Sequence, residues 1–164
     1  MNIERGALGI LALDLGSHTG FEVMSRGVFS RDLIDLTEKG RFREDGFAAF
    51  DYALDGLIRL LRKYNREIEI VAEKPHAGRF FHSTRILFGL LAVLQCKCSK
   101  KGLPLKVYSP KAIKKFWTGS GVATKEEMVA KAKQLVSRRI EDNNIADACA
   151  LMRLHLKQRK EIDA

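Results

Sequence analysis

The chain opens on an apolar run, Leu8-Gly9-Ile10-Leu11-Ala12-Leu13, which ends at Asp14 and turns through Leu15-Gly16-Ser17 into a second run, Phe21-Glu22-Val23-Met24. Two such runs joined by a glycine turn predict a buried strand and its antiparallel neighbour. Gly27-Val28-Phe29-Ser30 and Leu33-Ile34-Asp35-Leu36 continue the meander as a third strand. The period then changes. Phe47, Phe50, Leu54, Leu57, Ile58 and Leu61 recur at helical spacing over about residues 44–64, with Asp55 and Arg59 placed to pair on the outer face. The short run Ile68-Glu69-Ile70-Val71-Ala72-Glu73, bounded by Lys74-Pro75, predicts a buried strand. A helix separates it from the first strand, so the two should run parallel.

A second helix is expected over about residues 81–98, where Ile86 to Leu94 is apolar on more than one face. Such a helix should pack on the sheet and also on a second surface, such as a second subunit. Leu105-Lys106-Val107-Tyr108 predicts a further strand, and Ser109-Pro110 a helix start with a cap and a proline in the first turn. Thr118-Gly119-Ser120-Gly121 ends that helix, and Thr124-Lys125-Glu126-Glu127 has the form of a capping box opening the next. The last helix is expected over about residues 144–156. With no repeat, low-complexity stretch or linker, the pattern describes one α/β domain over residues 1–164, a mixed β-sheet of about five strands flanked by helices.

Composition narrows the function classes. No apolar run approaches the roughly 18 residues of a membrane-spanning helix. The first residues lack the long apolar region of a secretory signal, so a cytosolic protein is expected. Cys96, Cys98 and Cys149 cannot complete a tetrahedral zinc site without a second Cys/His pair, and should be reduced and partly buried. The net charge is +9, yet residues 97–139 alone hold twelve Lys or Arg against Glu126 and Glu127. A basic excess concentrated in this way is the electrostatic footprint of a polyanion.

The acids supply the chemistry. Asp14 and Glu73 each end a predicted buried strand, and if those strands are parallel both acids lie at one sheet edge. Asp147 sits in Asn144-Ile145-Ala146-Asp147-Ala148-Cys149-Ala150, where the alanines allow a helix to approach the sheet closely. Asn144, three residues before Asp147, shares its helix face. Converging carboxylates suit Mg²⁺, a hard ion that takes oxygen ligands and keeps waters for phosphates. Two such ions about 4 Å apart would activate a water and stabilise a leaving 3′ oxygen. The Asp14-Leu15-Gly16-Ser17 turn also fits ATP-binding proteins of the actin superfamily. That fold needs two such domains and a second phosphate loop, so no nucleotide cofactor is expected.

The segment from Ile10 to Gly20, then Val71-Ala72-Glu73-Lys74-Pro75, then Asn144-Ile145-Ala146-Asp147-Ala148, resembles the RuvC family of Holliday junction resolvases, in particular its compact phage-type members. The resemblance covers nearly the whole chain. It implies a ribonuclease H-like fold, a homodimer, and paired cleavage of a four-way DNA junction with Mg²⁺ or Mn²⁺ in a bacterial or phage-infected cytoplasm. Asp14, Glu73 and Asp147 match the family's acids. The fourth position, usually acidic or histidine, falls on Asn144, an uncharged amide. Asp142 is an imperfect substitute, since five residues is about 140° around a helix, and it would help only if the helix starts after it.

The resemblance also assigns Lys125, at the end of a glycine-containing turn, and Lys114 as lysines near the scissile phosphate, where positive charge stabilises the transition state. The loop His76-Ala77-Gly78-Arg79-Phe80-Phe81-His82 matches one that opens the junction centre. By offset its wedge is His76, with Phe80 and Phe81 as alternatives, although Phe81 is expected to pack into the core. Arg79 and Arg85 are assigned to phosphates, and Lys111 and Lys115 to the same nucleic-acid surface. Two other readings stay open: a catalytically weak junction-binding protein, suggested by Asn144, and a related ribonuclease H-superfamily nuclease acting on other branched DNA or on RNA.

Overall fold

The computed structural model describes residues 6–78 and 80–162. The first strands, β1 (Gly6–Asp14), β2 (His18–Ser25) and β3 (Val28–Asp35), form the expected antiparallel meander. The β2–β3 turn carries positive φ at both Arg26 and Gly27, the twist that matches a tight two-residue hairpin. A small hairpin follows, β4 (Thr37–Glu38) with β5 (Arg41–Phe42), which the sequence pattern did not predict because two-residue strands carry no measurable period.

Helix α1 (Gly46–Tyr64) buries the predicted face through Phe50, Leu54, Ile58 and Leu61. The chain passes directly into β6 (Asn65–Glu73), which pairs in parallel with β1 as expected. Helix α2 (Phe81–Lys101) ends on Gly102 in the left-handed conformation, and β7 (Leu105–Tyr108) adds in parallel beside β6. Three further helices complete the chain: α3 (Pro110–Thr118), α4 (Lys125–Leu135) and α5 (Asn143–Ile162). Both predicted caps form: the Ser109 side chain accepts from the Ala112 N–H, and Thr124 and Glu127 make a reciprocal capping box. The last helix runs six residues beyond the expected end, and on that stretch Gln158 and Arg159 have partners on the sheet, Lys106 and Glu69.

The five-stranded mixed sheet has the order β3-β2-β1-β6-β7. Alternate residues of the central strands enter different cores. Leu11, Leu13, Ile70 and Ala72 face α1 and α2, whereas Ile10, Ala12 and Val71 face α3, α4 and α5. Burial on both faces explains why β1 reads as a continuous apolar run rather than an alternating one.

Two expected contacts differ. Asp55 does not pair with Arg59; it accepts from Lys101 and Lys97 of α2, at 2.8 and 2.7 Å, and those two lysines hold its carboxyl down at about 2. Spacing within one helix cannot reveal a better partner on the next helix. Phe81 is not in the core but 83% exposed. It lies five residues before Ile86, about 140° away from the face that Ile86, Leu90 and Leu94 bury.

Candidate active site

Strands β1 and β6 deliver two acids to one edge. Their parallel register brings Leu13 opposite Ala72, so Asp14 and Glu73, the next residues, end the strands side by side. By alternation with Ala12 and Val71 both acids belong to the face covered by α5. Glu73 pairs with Tyr108 in the ladder, and the next backbone N–H, of Lys74, donates to the Tyr108 carbonyl at 2.7 Å. On the other side, Thr19 closes the β1–β2 turn: its hydroxyl donates to the Gly16 carbonyl at 2.8 Å and accepts the Gly16 N–H at 3.3 Å. The third acid, Asp147, comes from α5. Asp14, Glu73, Asp147, Asn144, Lys125 and His76 line one cavity of about 180 Å³, with Leu15, Lys74, Pro75, Leu87 and Asn143 also in its wall.

Helix α5 is held against the sheet along much of its length. Asp142 caps it, accepting from the N–H groups of Asn144 at 2.8 Å and Ile145 at 3.2 Å. The helix therefore does start after Asp142, whose carboxylate serves as its cap and stands outside the cavity lining, while its charge still acts on Asp14 and Asp147. Ala146, Ala148 and Ala150 are fully buried, as the small-residue pattern predicts. The first turn lies directly over Gly20, where an added Cβ would meet the Asn144 carbonyl oxygen at 2.1 Å. Further along, the buried Glu22 of β2 accepts from Arg153 and from Arg31, and Glu69 of β6 receives His155 and Arg159. Two sheet carboxylates thus set where α5, and with it Asp147, stands relative to the strand ends.

The acids destabilise one another's charges. Burial, followed by the charges of Glu73, Asp147 and Asp142, holds the Asp14 carboxyl well above the usual carboxylate range, against the pull of Lys125. Burial and Asp147 push Glu73 up to about 7, with Lys114 opposing. Burial raises Asp147 to about 6, although Lys114 and Lys125 both act to lower it. Asp147 Oδ1 is buried with no hydrogen-bond partner among the described residues. An unpartnered carboxylate oxygen beside two further acids is what a divalent cation would satisfy, and it would relieve the repulsion at the same time. Among the described residues no group of three or more His, Cys, Asp or Glu is placed to hold a metal ion by itself. An open arrangement suits Mg²⁺, which is held by few carboxylates and keeps waters for phosphate oxygens.

The other predicted residues divide. Lys125, first residue of α4, lines the cavity, while Lys114 on α3 acts on Glu73 and Asp147 through its charge without lining it. Asn144 lines it as predicted, but its Oδ1 accepts from the Asn143 amide at 3.1 Å, a neighbour the sequence reading did not single out. His76 reaches the cavity; Phe80 is 73% exposed outside it, and Arg85, Lys111 and Lys115 are exposed. Arg79 lies outside the described residues. Gly20 and Leu87 were also missed as positioning and wall residues. Only Gly20 had a visible signal, a glycine inside a strand, which marks a close backbone approach.

No family model matches the chain. Relatives do. A crossover junction endodeoxyribonuclease RuvC of Anaeromyxobacter sp. is 33% identical over 106 residues, 65% of this chain and 51% of the relative. The RuvC of Bdellovibrio bacteriovorus is 29% identical over 161 residues, 94% of each chain. The chain is thus similar in sequence to RuvC proteins. It spans about half the length of the first relatives, 51% to 57%, and nearly all of the Bdellovibrio protein. Among solved structures, Thermus thermophilus RuvC in complex with Holliday junction substrate superposes with a TM-score of 0.68 at 18% identity, covering 90% of this chain and 92% of that one. The yeast mitochondrial Holliday junction resolvase Ydc2 gives 0.59 at 17%, covering 96% and 82%. The fold is therefore ribonuclease H-like, as the sequence resemblance implied.

Proposed function

We propose that this chain is a metal-dependent endonuclease that resolves four-way DNA junctions, and related branched DNA, by paired strand cleavage. The observation that carries the reading is the cavity where Asp14, Glu73 and Asp147 meet beside Lys125 at the open edge of the sheet. Sequence similarity to RuvC proteins, and a structural neighbour solved with a Holliday junction, support four-way DNA as the substrate.

In this reading Asp14, Glu73, Asp147 and the Asn144 amide oxygen hold Mg²⁺ or Mn²⁺, with two ions per site. When bound, such ions supply an activated water and neutralise the leaving oxygen. The chain's own groups do the rest. Lys125 and Lys114 place positive charge where the pentavalent phosphate gathers negative charge. His76 and Phe80 stand at the loop that meets the junction centre, and Arg79, Arg85, Lys111 and Lys115 hold flanking phosphates, so binding weakens steeply with salt. A homodimer would set two such sites against two strands. Its support is the exposed Phe88 and Ala92 on α2, within the apolar run from Ile86 to Leu94 that was expected to pack on a second subunit. Among the described residues no helix is long and apolar enough to cross a membrane.

One observation favours the alternative of a junction binder that cuts weakly: Asn144 brings no charge, and Asn143 already occupies its Oδ1. A single assay separates the readings. Wild type and Glu73→Gln are compared on four-way junction, fork, flap and linear duplex, with Mg²⁺ and with Mn²⁺. The expected result is junction-selective cutting that Glu73→Gln abolishes. Equal cutting of all substrates would remove junction selectivity; tight junction binding without cutting in either metal would establish the binder.

A further inference from the structure

Strand β6 enters the sheet with one side open. Its register with β7 begins only at Ile70, opposite Leu105, whereas β1 already accompanies it from Asn65. The N–H groups of Ile70 and Lys74 donate to the carbonyls of Pro104 and Tyr108, at 3.0 and 2.7 Å, so even-numbered positions along β6 turn their backbone groups toward β7. By the same alternation Arg66 and Ile68 turn theirs to that side, before β7 begins. The Ile68 carbonyl would there face residue 104, a proline, which has no N–H to give. Among the described residues no strand pairs with this stretch of edge. A groove of about 460 Å³ runs beside it, lined by strand residues 66–69, by Arg62 at the end of α1, and by Leu103 and Pro104. Side chains on a strand alternate between its faces, so a space touched by four consecutive residues lies along the edge. The Arg62 guanidinium donates to the Lys101 carbonyl at 2.9 Å, which ties the end of α1 to the end of α2 and fixes the far wall. A second space of about 330 Å³, reaching Lys106 and Arg159, shares Glu69 and Pro104 with the first.

We infer that this edge is a docking site for an extended, acidic peptide of a partner protein, added to β6 as a short strand. Backbone chemistry selects the form of the occupant. The open groups of Arg66 and Ile68 need main-chain donors and acceptors, which an added strand supplies and a helix, its own backbone bonds already closed, does not. Pro104 and the charged rim discourage pairing with a whole second sheet edge. Charge selects the sign. Lys101 is balanced by Asp55, at 2.8 Å, and Glu69 by Arg159, at 2.9 Å. In the joint lining that leaves Arg62, Arg66 and Lys106 against Glu67. Leu103 and Pro104 give an apolar strip between the cations, so the peptide should carry acids with an apolar residue between them. The groove lies at the start of β6 and Glu73 at its end, roughly 20 Å further along the strand. A partner docked here therefore leaves the acid cavity open, and the inference stands apart from the endonuclease reading.

The test uses a fluorescein-labelled octapeptide in which glutamate alternates with valine, read by fluorescence anisotropy. A second form is N-methylated at alternate backbone nitrogens, which removes strand N–H donors and leaves charge and side chains in place. Wild type should bind the first peptide and bind the N-methylated form about tenfold more weakly. Amide hydrogen exchange at Ile68 should slow when the first peptide is bound, and an excess of oligothymidylate should not displace it. Arg62→Glu with Arg66→Glu, both at exposed positions, should weaken binding by about tenfold while thermal melts show the variant folded. No binding by wild type, equal binding of the N-methylated form, or unchanged exchange at Ile68 would overturn the strand site. Displacement by oligothymidylate would give the groove to nucleic acid, and a change of oligomeric state in the variant without peptide would give it to a second copy of the chain; either result overturns the peptide.

Discussion

Gly20 on β2 lies beneath the carbonyl of Asn144 so closely that a Cβ would stand 2.1 Å from the oxygen and 2.2 Å from the carbon. Backbone cannot yield as a flexible side chain can, so any side chain here lifts the first turn of α5. Asp147 is one turn further along that helix. Gly20→Ala should therefore cost about 3 kcal/mol, at the upper end for overpacking, and reduce cutting by more than tenfold. Gly56→Ala is the control: it sits in α1 with nothing within 4 Å of the added carbon. Helix propensity predicts a gain of up to about 1 kcal/mol there. Thermal melts and junction cutting on both variants check the relationship, and a Gly20→Ala protein as stable and active as wild type would refute it.

Much of this site was legible in the chain because its acids stand where local pattern is strongest. Asp14 and Glu73 end runs that are apolar on both faces, and Asp147 is flanked by alanines that announce close helix packing. What escaped was set by contacts distant in sequence. Asp55 looks toward Arg59 within its own helix and in fact meets Lys97 and Lys101 on another. Glu22 reads as the polar step of an alternating strand; Arg153, 131 residues later, gives it a reason to be buried. The β4–β5 hairpin is too short to carry a period, yet its Arg41 and Phe42 wall a groove that meets the acid cavity at Leu87.

The acid cluster predicts an unusual pH dependence of stability. Glu73 is raised to about 7 and Asp147 to about 6 in the fold, above their ordinary values of 4.5 and 3.8. Between the ordinary and the raised values the folded state binds more protons than the unfolded one, so stability from these groups is full below about pH 4 and is lost as pH rises through 6 and 7. In EDTA, Glu73→Gln should then be the more stable protein at pH 8, by on the order of 3 kcal/mol, with the difference vanishing near pH 4.5. Taking the difference between the two proteins removes the contribution of distant groups. Mg²⁺ should raise the melting temperature of wild type most at pH 8. A wild type at least as stable as Glu73→Gln at pH 8 without metal would contradict the assigned burial and repulsion.

Asn144→Asp tests the fourth position. Its oxygen already lies on the cavity wall and accepts from the Asn143 amide, which a carboxylate would accept equally well. The substitution adds charge to the site at little cost in geometry. The Mg²⁺ concentration for half-maximal junction cutting should fall about tenfold, and the metal-free protein should lose stability at pH 8, since a further acid joins the cluster. An unchanged metal requirement would mean that the amide does not limit metal binding. Loss of cutting at every metal concentration would mean that the charge itself is harmful there.

His155 joins the sheet to α5 on the side away from Gly20. Its Nε2 lies 2.7 Å from Glu69 Oε2 and its Nδ1 2.7 Å from the Tyr108 hydroxyl, and it is almost fully buried. Burial lowers its pKa although Glu69 pulls the other way, and burial raises that of Tyr108. Tyr108 is the ladder partner of Glu73, so the histidine bridges α5 to the strand end that carries this acid. His155→Ala leaves the buried Tyr108 hydroxyl without this partner and opens a gap in the core, while Arg159 still covers Glu69 at 3.0 Å. The loss should be about 3 kcal/mol, or roughly 10 °C in melting temperature for a domain of this size. His155→Gln, which can still donate toward Glu69, should recover about half. Because the bridge also sets the height of Asp147, His155→Ala assayed well below its melting temperature should need several-fold more Mg²⁺ for half-maximal cutting. A destabilised variant with an unaltered Mg²⁺ requirement would confine His155 to holding the core together, and α5 would then be positioned by Glu22, Gly20 and the Arg159–Glu69 pair.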